Sequence, residues 1–244
     1  MLQLNTILSF SSLIIMLKEE NIDLKITQNR YKWAYDQVIS KFYDRSLKIG
    51  LSVFGEDKLR KQVIDLIKPY IRHRDYLVDL CCGTGTLTIL LTASTYSDCK
   101  IIGVDLSAGQ ISQAMKKNYL SNLKFKIMDA SSLEFETESV NHVIISAALH
   151  EMDTHLRIKV LSEAYRILRK EGYLFIFEHH EPSEVKLRIL YNIYLGFWEK
   201  LLSKSSVMQR NIFSELYRAK FKLQKQIIFE RRFYKFFQLI ISRK

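Results

Sequence analysis

The chain has little glycine, proline or cysteine: 8, 2 and 3 residues among 244. With so few Gly and Pro, no linker divides it, and it reads as one domain with a small cap. Three cysteines, Cys81, Cys82 and Cys99, cannot staple a secreted scaffold. They suit a reducing compartment, so a cytoplasmic location is expected. Adjacent Cys81 and Cys82 lack the spacing of a metal clip, and no metal ligand set is expected. Residues 1–17 carry no charge, yet include Gln3, Asn5, Ser9, Ser11 and Ser12. A segment with no basic start, too short and polar to span a bilayer, is a poor leader and a poor anchor. It reads as an extension, flexible or touching a membrane, ahead of a more ordinary start at Met16. No internal repeat is visible.

What the chain does have is apolar content, at 48%, and a net charge of +11. The first argues against disorder. The second admits nucleic acid, anionic membrane or acidic substrates as partners. The basic residues are scattered, densest at Arg72–Arg74, Arg166–Lys170 and Arg231–Arg232, and none forms a long arm. Solvated helix faces therefore explain them better than a nucleic-acid patch.

The apolar periodicity alternates between two and 3.6. It predicts helices over 31–48 and 56–72, then strand 76–80, helix 86–95, strand 100–105, helix 107–119, strand 123–128, strand 140–146, helix 153–169 and strand 172–178. Helices over 183–203 and 208–219 and strands over 222–228 and 232–242 complete the chain. Such alternation predicts an α/β fold: a doubly wound, mostly parallel sheet with helices on both faces. Residues 1–30 read as an N-terminal extension, 31–55 as a helical lid, and 56–244 as the main domain with a helical insert at 183–219.

The first strand runs Tyr76-Leu-Val-Asp-Leu into Cys81-Cys-Gly-Thr-Gly85, and the second ends in Asp105, twenty residues past Gly85. Glycines let a backbone turn with no Cβ in the way, and an acid at the next strand tip can accept both hydroxyls of a ribose. A dinucleotide fingerprint would place a third glycine where Thr88 stands, and a triphosphate loop would need a Lys-Ser or Lys-Thr that is absent. Asp79 beside the turn repels phosphate and suits a cationic or amine-bearing ligand.

These residues resemble the class I S-adenosylmethionine (SAM)-dependent methyltransferases. Asp79-x-x-Cys-Gly-Thr-Gly85 and Gly103-x-Asp105-x-Ser107 are similar to that family's first two motifs. Residues 126–135, around Asp129 and Ala130, resemble its third strand, residues 140–150 its fourth, and residues 165–177 its fifth strand with the helix before it. The resemblance covers residues 55–180 well and the flanks loosely. It implies a Rossmann-like, seven-stranded sheet with an antiparallel last strand, and SAM as cofactor. It places Asp79, Cys81, Gly83 and Gly85 at the cofactor turn, Asp105 and Leu106 at the ribose, Asp129 and Ala130 at the adenine, and Ser146 at the fourth strand's end. Cys81 departs from the small Gly or Ala usual there, which predicts a crowded but usable turn.

The methyl acceptor belongs beyond the turns after the fourth and fifth strands. His150, Glu178, His179 and His180 are the titratable side chains there, and His150 is the candidate general base. Aromatic residues Tyr31, Trp33, Phe42, Tyr194, Phe197 and Trp198 crowd the two segments able to cover that edge. They favour a small, partly apolar acceptor, similar to those of the quinone- and lipid-modifying branch. Two alternatives stay open: a nucleic-acid methyltransferase, disfavoured because Ser146-Ala-Ala-Leu149 replaces an Asn/Asp-Pro-Pro-aromatic motif, and a non-catalytic SAM-binding partner subunit. A nicotinamide oxidoreductase is disfavoured by Thr88. Oligomeric state is left open.

Overall fold

The computed structural model describes residues 56–182, 184–189, 191, 212–231 and 234–244. The expected extension, the 31–48 helix and most of the 183–219 insert, with Tyr31, Trp33, Phe42, Tyr194, Phe197 and Trp198, lie outside the described residues, whereas the insert's Tyr191 is described and buried. The described elements run α1 (Glu56–Ile67), β1 (Tyr76–Leu80), α2 (Thr86–Ser94), β2 (Lys100–Asp105), α3 (Ala108–Lys117), β3 (Leu123–Ile127), β4 (Val140–Ser146), α4 (Thr154–Ile167), β5 (Leu168–His179), α5 (Ile212–Arg218), β6 (Lys222–Arg231) and β7 (Tyr234–Arg243).

Seven strands form one sheet in the order β3-β2-β1-β4-β5-β7-β6. The five from β3 to β5 pair in parallel, and β7 runs antiparallel to both β5 and β6. The seven-stranded α/β sheet expected from the sequence is present. Its central strands are buried on both faces, which is why they read as near-continuous apolar runs. Val78, Leu80, Val104, Val143, Ile145, Leu174 and Ile176 point to one core, closed by Val160, Leu161 and Ala164 of α4 and Ile212 and Leu216 of α5. Leu77, Ile101, Phe125, Ile144 and Phe175 point to the other, closed by Val63 and Ile67 of α1, Leu91 of α2 and Ile111 of α3.

Several boundaries move from their expected positions for local reasons. Helix α1 stops at Ile67 rather than residue 72, because Pro69 opens a short 3-10 turn over Lys68–Tyr70. Ser107, expected inside the third helix, instead caps it, its hydroxyl accepting from Gln110 N at 3.1 Å. Asp153 does the same for α4 through Leu156 N at 2.8 Å. Helix α4 passes straight into β5 at Leu168, four residues before the expected strand start. Gly172, expected to open the strand, lies inside it: a Cβ there would sit 2.8 Å from the Asn141 carbonyl oxygen on β4.

One buried ion pair ties α5, at the end of the insert, to the body. Arg157 on α4 donates from Nε and Nη2 to the two oxygens of Glu215 on α5, at 2.9 and 2.8 Å, and both side chains are almost wholly buried. A further bond reaches Thr154 Oγ1 at 3.1 Å. Removing one partner of such a pair strands the other charge in a low dielectric, at a cost of about 3–5 kcal/mol. Glu215→Ala is expected to lower the unfolding free energy by that amount, read as a fall in the urea midpoint, and the double change Arg157→Met/Glu215→Leu to recover most of it. Equal midpoints for wild type and Glu215→Ala would show that the pair contributes nothing.

Candidate active site

The strand order reverses between β1 and β4, and open parallel sheets bind ligands outside the carboxyl ends of the strands at such a point. The sequence candidates gather along this edge. Cys82 N donates to Val104 O at 3.0 Å, Gly83 N to Asp105 Oδ2 at 2.8 Å, and Met128 N to Asp105 O at 3.0 Å. The turn after β1 is thus stitched to the tips of β2 and β3. Asp105 Oδ1 also accepts from Ser107 N at 2.9 Å, so backbone amides hold its carboxylate in place.

The two turn glycines do different work. Both are left-handed, at φ +56° for Gly83 and +72° for Gly85. A Cβ on Gly83 would meet nothing within 4 Å, so this is the backbone a ligand can approach. A Cβ on Gly85 would lie 2.5 Å from the Phe125 ring, so Gly85 serves packing rather than ligand contact. Gly103 on β2 makes room for the same ring. Cys81, the departure from the family pattern, is left-handed too, at φ 57°, as is Ala147 just past β4 at φ 49°. Left-handed non-glycine residues at the ends of both strands that flank the reversal mark the edge as strained, a property that clusters at functional sites.

Thr88, which had counted only as a missing glycine, has a positive role. Its buried hydroxyl donates to Asp79 Oδ2 at 2.6 Å. Asp79 Oδ1 is buried with no hydrogen-bond partner among the described residues. Burial pushes this carboxyl up to about 7, and Asp105 adds to the rise against the Thr88 bond and Arg60. Burial also raises the Cys81 thiol, helped in turn by Asp105, Asp79, Glu151 and Asp129. Both thiols at the turn are held neutral, and the charge of four carboxyl groups acts on the first of them. A chain of charge +11 therefore carries an anionic bowl at its glycine turn.

The remaining cofactor candidates divide. Asp129 is exposed at the end of β3 and caps a turn, Oδ1 accepting from Ser131 N and Oγ, both at 2.8 Å. Ala130 is buried, Leu106 exposed, and Ser146 half-buried at the end of β4. At the next strand end His150 meets Glu178. His150 Nδ1 lies 2.8 Å from Glu178 Oε1, and the His179 ring stands edge-on to His150 at 4.8 Å. His180 does not join this cluster by any contact among the described residues, though burial lowers its pKa.

An orphaned buried carboxyl oxygen, an open glycine backbone and a ring of acids fit a small ligand with positive sulfonium and ammonium groups and a ribose. They do not fit a pyrophosphate. The comparisons agree. The sequence pattern of the methyltransferase-domain family matches residues 77–172. A demethylmenaquinone methyltransferase of Staphylococcus aureus is 30% identical over 174 residues, 69% of this chain and 70% of that protein. Its counterpart in Oceanobacillus iheyensis is 30% identical over 180 residues, 72% of this chain and 73% of that protein. A SAM-dependent methyltransferase of Methanosarcina mazei shares the fold, with a TM-score of 0.58 at 20% identity over 72% of this chain and 95% of that one.

Two outcomes follow from this geometry. Gly83→Ala is expected to cost only the backbone term, about 1–2 kcal/mol, and to weaken SAM. Gly85→Ala adds the clash with Phe125 and should lower the melting temperature more. The reverse order would refute the division of labour. A cation bound beside Asp79 favours its carboxylate, so SAM affinity should rise up to about tenfold between pH 6 and 7.5 as Asp79 ionises, and Asp79→Asn should flatten that dependence in calorimetry. Fold stability has the opposite sign: Asp79's contribution is full below the ordinary carboxylate range and is lost as pH rises through about 7.

With fold, glycine turn and relatives in agreement, the chain belongs to the class I SAM-dependent methyltransferases, of the quinone-methyltransferase type, with SAM as its cofactor.

Proposed function

We propose that this methyltransferase moves the methyl group to a small, partly apolar, hydroxylated ring acceptor of the quinol kind. The observation that carries the reading is the His150–Glu178 pair at the strand ends where an acceptor would lie, next to an anionic cofactor turn. Relatives whose name states a demethylated quinone as substrate support the same class. The acidic bowl speaks against a polyanion approaching this turn, despite the overall positive charge.

In this reading Asp105 receives the ribose diol, Asp129 the adenine amino group through Oδ2, with Leu106 and Ala130 beside them. Asp79, Cys81, Gly83 and Ser146 surround the amino-acid end, and Gly85 packs the turn against Phe125. Bound SAM supplies a methyl group on a positive sulfonium, which needs little help in leaving. The protein's part is to align the acceptor, exclude water and remove the acceptor's proton, for which His150 is the base.

The test is transfer of tritiated methyl from SAM to total cell lipid extract and, in parallel, to total RNA. Label is expected in the organic-soluble fraction. Asp105→Ala should weaken SAM by about 2–4 kcal/mol, the worth of a charge-assisted pair of hydrogen bonds. Label entering RNA alone would overturn the small-molecule acceptor, and unchanged SAM affinity in folded Asp105→Ala would remove Asp105 from the site.

A further inference from the structure

We infer that Glu178 is the positioning residue of the transfer: it holds His150 in the one tautomer whose Nε2 can take a proton from the acceptor. The inference rests on the methyltransferase reading above and deepens it.

Four donors converge on the Glu178 carboxylate. His150 Nδ1 and His179 N meet Oε1, each at 2.8 Å, and Leu149 N and His150 N meet Oε2 at 3.0 and 3.4 Å. A carboxylate has about four acceptor sites, so this one is saturated. Burial alone would raise its pKa, but His150, by charge and by hydrogen bond, and then His179 pull it to about 2. Glu178 is therefore ionised and has no proton to give. The hydrogen in the 2.8 Å contact belongs to His150 Nδ1, and Nε2 of the neutral ring is left as the basic nitrogen.

The groups facing His150 fit one proton. Glu151 Oε1 lies 3.9 Å from Nε2, and Glu178 is on the other side of the ring. His179 is kept neutral, its pKa lowered to about 4 by burial and then by His150, while Glu178 opposes. It packs against Phe237 at 4.8 Å and stands beside His150 as an uncharged wall. The carboxylate is bonded to the ring of His150, not to the neutral ring of His179.

The proton balance selects the acceptor. An acceptor O–H gives its proton to His150 Nε2. The freed electron pair forms the bond to the methyl carbon as the S–CH₃ bond breaks with its pair retained on sulfur. The imidazolium so formed is neutralised by Glu178 at 2.8 Å. An acceptor with no proton to lose, such as a thioether or a tertiary amine, has no use for this pair. The acceptor class is therefore one whose nucleophile must be deprotonated, as the phenolic or quinol ring of the proposed function is.

The same three residues bring ligand atoms within 4.8 Å of one another, the geometry of a metal site. The saturated carboxylate argues against a cation there: it would have to displace the donors on Glu178, the His150 Nδ1 proton among them.

Two measurements test the inference. Long-range ¹H–¹⁵N correlation spectra of the wild-type protein, which need no acceptor, are expected to show His150 protonated at Nδ1 and bare at Nε2. Glu178→Gln is expected to lower kcat about 100-fold or more, with SAM affinity within about twofold, because Glu178 acts through His150 and not on the cofactor. It should also move the acid limb of the kcat/KM profile to lower pH, since the imidazolium loses its counter-charge; Glu178→Asp should restore part of kcat. An Nε2–H tautomer, or an unchanged pH profile in a folded Glu178→Gln enzyme that still binds SAM, would overturn the positioning role and leave the methyltransferase reading standing. Activity lost on dialysis against a chelator and restored by Zn²⁺ would overturn it in favour of a metal site.

Discussion

Buried negative charge along one edge of a parallel sheet is the constraint on which this site depends. Asp79, Asp105 and Glu178 stand at the ends of β1, β2 and β5, and a carboxylate taken out of water must be hydrogen-bonded, paired or protonated. Each meets the requirement differently. Asp105 is clamped by two backbone amides. Glu178 is saturated by four donors and stays ionised. Asp79 receives one hydroxyl, from Thr88, and is pushed toward its neutral form. The first two are fixed by their donors before any ligand arrives, and Glu178 is charged. The third can change charge in answer to a cation.

Packing beneath the turn makes this arrangement rigid. The Phe125 ring fills the space that Gly85 and Gly103 leave by lacking a Cβ, so strands β2 and β3 and the start of α2 close on one side chain. A larger residue at either glycine would push the turn away from Asp105, whose contact with Gly83 N sets the position of the open backbone. The anionic bowl and the aromatic plug beneath it are two consequences of the same pair of sheet-edge motifs.

The parts of this structure that were legible in the sequence are local. Strand Tyr76–Leu80, its glycine turn and the acid at residue 105 are encoded within thirty residues, by apolar runs, left-handed positions and one spacing. The less legible parts join distant residues. Nothing near Thr88 says that its hydroxyl seeks Asp79 rather than its own helix. Phe125 reads as one more apolar strand residue until two glycines 22 and 40 positions away in sequence make room for it. Glu178 was one of four candidates at its edge, and its four donors are invisible without the fold because Leu149 and His150 stand 29 and 28 residues back. Asp129 illustrates a different limit: the turn cap and the adenine contact ask for the same residue type at the same place. The structure shows the first use, on Oδ1.

A second histidine–carboxylate pair shows what the sheet edge adds. His142 Nε2 lies 2.9 Å from Asp75 Oδ2, nearly the distance of His150 from Glu178, and it is the more buried of the two histidines, at 5% side-chain exposure against 14%. Burial lowers its pKa, with the Asp75 bond opposing. By chemistry alone it is as good a dyad. But His142 lies near the start of β4 and Asp75 just ahead of β1, at the amino edge, where Arg72 N also bonds Asp75 and the ring packs on Tyr173 and Phe175. A left-handed residue, Arg74, stands just ahead of Asp75 here too, at φ 63°, but ligands of open parallel sheets bind at the other edge. The same pair of side chains is thus a structural tie at one end of β4 and a candidate proton acceptor just beyond the other. Strand direction, not pKa or distance, separates the two roles.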